Sequence, residues 1–167
     1  SSCYDCGYND NNCKMKFKIL SHAGISITEK NKTLIIDPWL IGSCYWRSWW
    51  NFPELTNEEY DSISADYLYL THLHWDHFHS ASLKLFFDKN IPIYVPKVQT
   101  KRMVEDLKYL GFNNVIEIPH NKKIKICDEF SLHSFQFGPG VDSGIMVSTE
   151  QYNLFDANDC KIGRAHV

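Results

Sequence analysis

An α/β fold with α+β character, dominated by sheet, is predicted for this chain by three observations. From residue 66 to 118, strand-like and helix-like segments alternate. From residue 123 to 156 the segments are all strand-like, and a run of strands after alternating β and α units points to a sheet-rich sandwich with helices on it. The third observation is size: 167 residues, 44% of them hydrophobic, suit one domain with a genuine core, because a chain of about 150 residues buries roughly 68–70% of its unfolded surface.

Each element follows from local pattern. In KFKILSHAGISITE, Lys16, Lys18 and Leu20 alternate with Phe17 and Ile19, the period of a half-buried strand. TLIID is a run rich in β-branched residues that ends at Asp37-Pro38, where the missing N–H of proline stops a ladder. These two segments are predicted to form a hairpin turning at KNK. IGSCYWRSWWNFPEL matches neither period. Its Trp46, Trp49, Trp50 and Phe52 are expected to be packing rings under a long loop rather than a substrate-facing wall. TNEEYDSIS reads as a short helix capped by Thr56, with Glu59 three residues on to complete a capping box. ADYLYLTH is a buried strand, HSASLKLFFDKN a helix and IPIYVP a short strand between prolines. In VQTKRMVEDLKYLG, Met103, Val104, Leu107 and Leu110 recur at helical spacing and Gly111 is placed to close the helix. NVIEIP, KIKI, FSLHSFQFG, SGIMVST and YNLFDA follow as strands.

Composition narrows the function. A net charge of −3 with no basic stripe argues against nucleic acid. No apolar run approaches the roughly 20 residues of a membrane span, and no membrane partner is expected. The six cysteines are scattered in a chain too long for a small disulfide scaffold, which suits a reducing cytoplasm. Residues 1–14 show no apolar periodicity and are expected to be a non-native or disordered leader. A zinc knuckle from Cys3, Cys6 and Cys13 is the weaker reading, since one CxxC lacks a second pair. The domain is expected over residues 15–161. The last residues, IGRAHV, resemble read-through of a sequencing adapter, so 162–167 are expected to be a non-native tail and His166 no ligand.

The chemistry concentrates in THLHWDHFHSAS, residues 71–82, where a buried strand delivers four histidines and an aspartate. His72 and His74 are two apart, so in extended backbone they project to one side. Asp76 and His77 come after the chain has turned and can reach a second point nearby. Neutral imidazole is the commonest biological metal ligand, and nitrogen with carboxylate oxygen and no thiolate suits zinc or another borderline divalent ion. His79 is expected to be exposed at a helix start and His120 to be a surface turn residue.

THLHWDHFH resembles the H-x-H-x-D-H signature of the metallo-β-lactamase superfamily, with His72, His74, Asp76 and His77 in its four positions. HAGISI followed by LIIDPWL is similar to that family's opening hairpin, with Asp37 as its aspartate, and YNLFDANDC to the strand that delivers a bridging aspartate, best matched by Asp159. The resemblance runs from Met15 to Lys161. It is nearest the L-ascorbate-6-phosphate lactonase-like group and the lactamase-like domain of CMP-N-acetylneuraminate hydroxylase. It implies an αββα sandwich whose second lobe is truncated here.

The resemblance also implies a metal-dependent hydrolase. His72 and His74 would hold one Zn2+, Asp76 and His77 a second, and Asp159 would bridge; Mn2+ or iron are the alternative ions. His133 is the candidate for the family's intermediate histidine, with Gln136 or Asp142 as alternatives, and the family's final histidine would lie beyond residue 161. Asp76 would orient a water that attacks an ester, lactone or phosphodiester. Asp37 would hold a ligand histidine, and His22 would line the cleft or pack in the hairpin. The implied substrate is a small molecule such as a sugar or sugar phosphate; nothing in the sequence bears on oligomeric state. Two other classes stay open. One is redox chemistry, either as the lactamase-like domain of a sugar-nucleotide hydroxylase or as in flavodiiron relatives, which carry glutamate where His74 stands. CYDC, lacking a histidine partner, does not itself support a Rieske centre. The other is a non-catalytic metal-binding domain.

Overall fold

A computed structural model describes residues 15–136 and 143–159. The leader cysteines, Asp142 and everything from Cys160 onward lie outside the described residues. Two sheets stack face to face. The first has six strands: β1 (Met15–Ile19), β2 (Ile25–Glu29), β3 (Lys32–Ile36), β6 (Tyr67–Tyr69), β7 (Ile93–Pro96) and β8 (Val115–Ile118), in that spatial order. The second has four: β9 (Lys123–Lys125), β10 (Ser131–Gln136), β11 (Ser143–Ser148) and β12 (Asn153–Asp156), in the order β12-β11-β10-β9. A two-stranded ribbon, β4 (Ser43–Cys44) and β5 (Trp49–Trp50), stands apart from both. The helices are α1 (Asn57–Asp61), α2 (Ser80–Phe86) and α3 (Arg102–Tyr109).

Strand alternation divides the apolar residues between two cores. Successive side chains point to opposite faces. Ile35, Leu68, Ile93 and Val95 pack with Leu83 of α2 and with Met103 and Leu107 of α3 on one side. Leu34, Ile36, Tyr69 and Tyr94 pack with Leu132, Ile145 and Val147 of the second sheet on the other. The near-continuous apolar runs of β3, β6 and β7 are the expected signature of strands covered on both faces. Among the described residues the layers are helix, sheet, sheet.

Two expectations need correction. KFKILSHAGISITE is not one strand: β1 and β2 pair antiparallel with Ile19 opposite Ile25, and Leu20 N–H donates to Gly24 O at 2.8 Å to close the intervening turn. The hairpin onto β3 then turns at Lys30 and Asn31, with Glu29 opposite Lys32 and Lys30 at φ 53°.

The second correction concerns the aromatic segment. Trp46 is 85% exposed and Phe52 83%, and Trp49 and Trp50 are also exposed. They sit on or beside the β4–β5 ribbon, which among the described residues pairs with neither larger sheet. Trp39, just upstream of the stretch, is buried instead.

Candidate metal centre

The site forms where parallel strands β3 and β6 end side by side, as ligand crevices of α/β sheets do at the carboxyl ends of strands. Asp37 directly follows β3 in the left-handed region, φ 45°. Its N–H donates to Tyr69 O at 3.0 Å, so it is anchored to the end of β6. Two residues after Tyr69 the histidine segment begins. His77 N–H and Phe78 N–H both donate to His74 O, at 3.0 and 2.7 Å, and fold the segment back on itself. The His77 ring consequently lies 4.2 Å from that of His72 and the His74 ring 4.4 Å from it, centroid to centroid.

Asp37 organises what lies beneath. It is fully buried. Its Oδ1 accepts from Thr71 N–H at 2.8 Å. Its Oδ2 accepts from Thr71 Oγ1–H at 2.6 Å and faces His77 Nδ1 at 2.7 Å. The Thr71 hydroxyl has a single proton, and Asp37 takes it. Thr71 Oγ1 can therefore only accept from His72 Nδ1, 2.9 Å away. His72 and His77 both hold a proton on Nδ1, and both turn Nε2 toward the cluster; on His77 that nitrogen offers its lone pair once the second ring proton leaves. One carboxylate sets two tautomers, an arrangement common behind metal-bound histidines.

In front of them lie the donor atoms. His72 Nε2 is 2.7 Å from His74 Nδ1 and 3.3 Å from Asp159 Oδ2, and His74 Nδ1 is 3.5 Å from the same oxygen. Beside this trio, His77 Nε2 stands 3.5 Å from Asp76 Oδ2 and 3.7 Å from Asp159 Oδ2. His22 Nε2 is 3.6 Å from Asp76 Oδ2. Asp159, carried by the loop after β12, thus touches both halves. The donor set fits a divalent metal: all donors are nitrogen or carboxylate oxygen, and ligand atoms of a tetrahedral zinc with bonds of about 2.0–2.1 Å lie roughly 3.3 Å apart. His72, His74 and Asp159 meet the distance requirement for a three-donor site.

Electrostatics follow the same division. Burial and then the charge of His77 hold His72 below the usual imidazole range, which keeps it neutral. Burial pushes His77 down too, but the hydrogen bond and charge of Asp37, with Asp76 and Asp159, lift it to about 9 in the metal-free protein. Burial raises Asp159, yet the histidines, His77 first, bring it below the ordinary carboxylate range. Burial, with the charge of Asp76, raises the Cys44 thiol to about 11.

The structure places several candidates differently. His133 does not reach the cluster. Leu132 and Ser134 of β10 are buried, so strand alternation puts His133 on the opposite face, where its ring stacks on Phe135 at 4.0 Å. Gln136 is exposed at the end of the same strand. His79 is half-buried and not exposed: its Nδ1 accepts from Ser82 N–H at 3.3 Å and caps α2. His120 bridges to Ser134, with Nδ1 2.9 Å from Ser134 Oγ, and is more than a surface turn residue.

Sequence reasoning missed Thr71, Tyr45 and Asn158. Tyr45 O–H donates to Asp76 Oδ1 at 2.8 Å from the β4–β5 turn. Asn158 Nδ2 donates to Ser143 O at 3.0 Å, and Ser143 Oγ donates to Thr71 O at 3.3 Å, tying the Asp159 loop to the histidine segment. Thr71 was legible, since it directly precedes His72; the other two are joined to the site only through tertiary contacts.

No family model matches the chain. It is 29% identical over 156 residues to a putative Rieske 2Fe-2S iron-sulfur protein of Mycolicibacterium smegmatis, covering 88% of this chain and 30% of that protein. It is 30% identical over 149 residues to the cytidine monophosphate-N-acetylneuraminic acid hydroxylase of Xenopus laevis, covering 84% of this chain and 25% of that one. The chain therefore spans less than a third of the length of these curated relatives.

Among solved structures, CmlA, a diiron β-hydroxylase from Streptomyces venezuelae, superposes with a TM-score of 0.65 at 20% identity, over 86% of this chain and 29% of that one. An isothiocyanate hydrolase from Delia radicum gut bacteria gives 0.64 at 18% identity, over 86% and 62%. The metallo-β-lactamase fold protein YhfI from Bacillus subtilis gives 0.55 at 16% identity, over 92% and 57%. With two stacked sheets, helices on the outer face and the histidine cluster at their carboxyl edge, this chain has the metallo-β-lactamase fold.

Proposed function

We propose that this chain is the metal-binding domain of a metal-dependent enzyme, and that its chemistry is hydrolysis of a small ester, lactone or phosphodiester. One observation carries the reading: Asp159 Oδ2 lies within 3.7 Å of donor nitrogens on both sides, His72 and His74 on one and His77 on the other. That arrangement offers one or two cation positions sharing a carboxylate. A divalent ion bound there lowers the pKa of coordinated water from 15.7 toward about 7 and polarises the bond under attack. The protein's own contribution is position. Asp37 and Thr71 hold two imidazoles in the ligand-competent tautomer. Asp76, steadied by Tyr45, presents Oδ2 toward the cleft, where it can orient and accept a proton from an attacking water. The exposed rings of Trp46, Trp49 and Trp75 near this edge offer faces for a cyclic substrate such as a sugar.

A second reading is favoured by the relatives. Their names, Rieske iron-sulfur protein and sugar-nucleotide hydroxylase, support a role as one module of a larger oxidoreductase. Zinc, manganese and iron all accept this donor set. No described helix is long and apolar enough to cross a membrane. Cys44 and Cys127 are free thiols, which supports a cytoplasmic site of action.

Metal analysis of the purified protein, followed by turnover of ester, lactone and phosphodiester substrates, separates the two. Zinc or manganese with chelator-sensitive hydrolysis is the expected result. Iron with oxygen consumption and no hydrolysis would replace the first reading with the second.

A further inference from the structure

His72 and His74 arrive on a segment anchored by Asp37, whereas Asp159 comes from the second sheet, on the loop after β12. We propose that Asn158 is the positioning residue for this carboxylate. Its left-handed backbone turns Asp159 out of the strand toward the histidines, and its side-chain amide, held on Ser143 O, fixes where the turn ends. The inference rests on reading His72, His74 and Asp159 as a metal site, and adds the residue that places the third donor.

Strand register carries it. β11 and β12 pair antiparallel with Ile145 opposite Asp156, so a strand that ran on would bring residue 158 opposite Ser143. Thr149 N–H donates to Tyr152 O at 2.8 Å, which makes 149 and 152 a hydrogen-bonded pair. Such pairs recur at every second position of an antiparallel ladder, so 147 with 154, 145 with 156 and 143 with 158 follow. Ser143 O is therefore the acceptor that the backbone N–H of residue 158 would take. Asn158 makes that bond with its side chain instead: Nδ2 donates to Ser143 O at 3.0 Å. Its backbone N–H is diverted to Asp156 Oδ1, also at 3.0 Å, and its φ is 49°. The side chain stays in the ladder while the main chain leaves it.

The next residue is Asp159, whose Oδ2 lies 3.3 Å from His72 Nε2 and 3.5 Å from His74 Nδ1. The anchor is shared with those histidines. Ser143 is fully buried, and its Oγ–H donates at 3.3 Å to the carbonyl of Thr71, the residue before His72. Asparagine suits both jobs. It enters the left-handed region more readily than most residues, and its amide supplies an N–H donor that an ionised aspartate lacks. A shift of Asn158 against Ser143 would move the carboxylate off the point that the two imidazoles share.

The alternative is a strand stop only, whose loss alters stability and leaves the ion alone. Three measurements on the whole chain separate the two: Co2+ affinity by chelator competition, d–d absorption of the bound ion, and urea melts in chelator. Asn158→Gly takes the left-handed backbone at no steric cost and removes only the tether. It is expected to bind Co2+ about 10–100-fold more weakly than wild type, the usual size for loss of an outer partner, with an altered d–d band. The loss must run through Asp159, so in an Asp159→Ala background Asn158→Gly should cost no more than about twofold further. Wild-type affinity and spectrum in Asn158→Gly would overturn the proposal, even if its melt shifted, and so would an undiminished loss in the Asp159→Ala background. If Asn158→Gly does not fold, Asn158→Asp keeps the side chain's size and has no N–H for Ser143 O. It should lose affinity in the same range, and wild-type affinity there would overturn the assignment. No ion bound by wild type would overturn the metal-centre reading itself, and this proposal with it.

Discussion

The residues around the site fall into two groups with different surroundings. His72, His77 and Asp37 are buried and hydrogen-bonded to one another or through Thr71. The side chains of His74, Asp159 and His22 are 51%, 48% and 47% exposed. Buried polar groups are costly unless fully satisfied, so the first group is part of the folded core whether or not an ion is bound. The second group has few other bonds, and its position costs the fold little. A rigid floor sets ligand geometry, and a looser rim can open for an ion and a substrate. The two groups should therefore respond differently to the same substitution.

The largest contrast is between two histidines two residues apart. His74→Ala and His72→Ala should each weaken metal binding by more than the roughly 10–100-fold that loss of an outer partner costs. Only His72→Ala should also destabilise the chelated protein, by roughly 1–3 kcal/mol, because it empties a buried site. Metal titration and urea melts in chelator measure the two effects. Equal destabilisation by both variants would erase the distinction between floor and rim.

Next in size is Asp37→Asn. The carboxylate accepts from Thr71 N–H and Thr71 Oγ1–H and pairs with His77 Nδ1. An amide puts an NH2 where an acceptor is required. A loss of about 2–3 kcal/mol in chelator is expected, together with a 10–100-fold loss of metal affinity. Complete burial of the side chain makes both losses follow.

The same contact sets a pH dependence. In the metal-free protein His77 is raised from 6.5 to about 9. Its contribution to stability is therefore full below pH 6.5 and is lost as pH rises through about 9. Melts of chelated wild type should fall across that window, and those of Asp37→Asn should fall less. A flat profile in wild type would mean that the floor does not depend on the His77–Asp37 pair.

Much of this was legible in the sequence. Strand alternation and the capping box at Thr56 and Glu59 are local, and all ten elements predicted from TNEEYDSIS to YNLFDA appear at the expected places. The convergence of His72, His74 and Asp159 was implied by the family resemblance and appears in the geometry. What escaped were features that depend on the third dimension. Whether His133 faces inward depends on strand register, and a one-residue shift reverses it. The exposure of Trp46 and Phe52 could not be inferred from their apolarity, because burial depends on what covers them, and among the described residues the ribbon leaves them open. Tyr45 reaches Asp76 only because Tyr45, Trp46 and Arg47 all take left-handed backbone, at φ 49°, 54° and 67°, a run rare for non-glycine residues.

The smallest effects belong to that ribbon and sharpen the comparison from the rim side. Tyr45→Phe removes one hydrogen bond to Asp76 while keeping the ring that stacks on Trp75 with centroids 5.6 Å apart. A stability change of about 0.5–1.5 kcal/mol is expected, with a weaker second metal position and an unchanged first. Trp46→Ala should change stability by no more than about 0.5 kcal/mol, since the ring is mostly in water. Its remaining contact is edge-on to Trp75, with centroids 4.8 Å apart. If the exposed rings form a substrate face, Trp46→Ala should raise KM for a cyclic substrate and leave kcat and metal content alone, because stacking that is equal in ground and transition states changes binding only. If they are covered by another part of a longer protein, the variant's turnover in isolation should match wild type at every substrate concentration. A fall in kcat at constant KM would contradict both, and would place Trp46 among the groups that position Asp76.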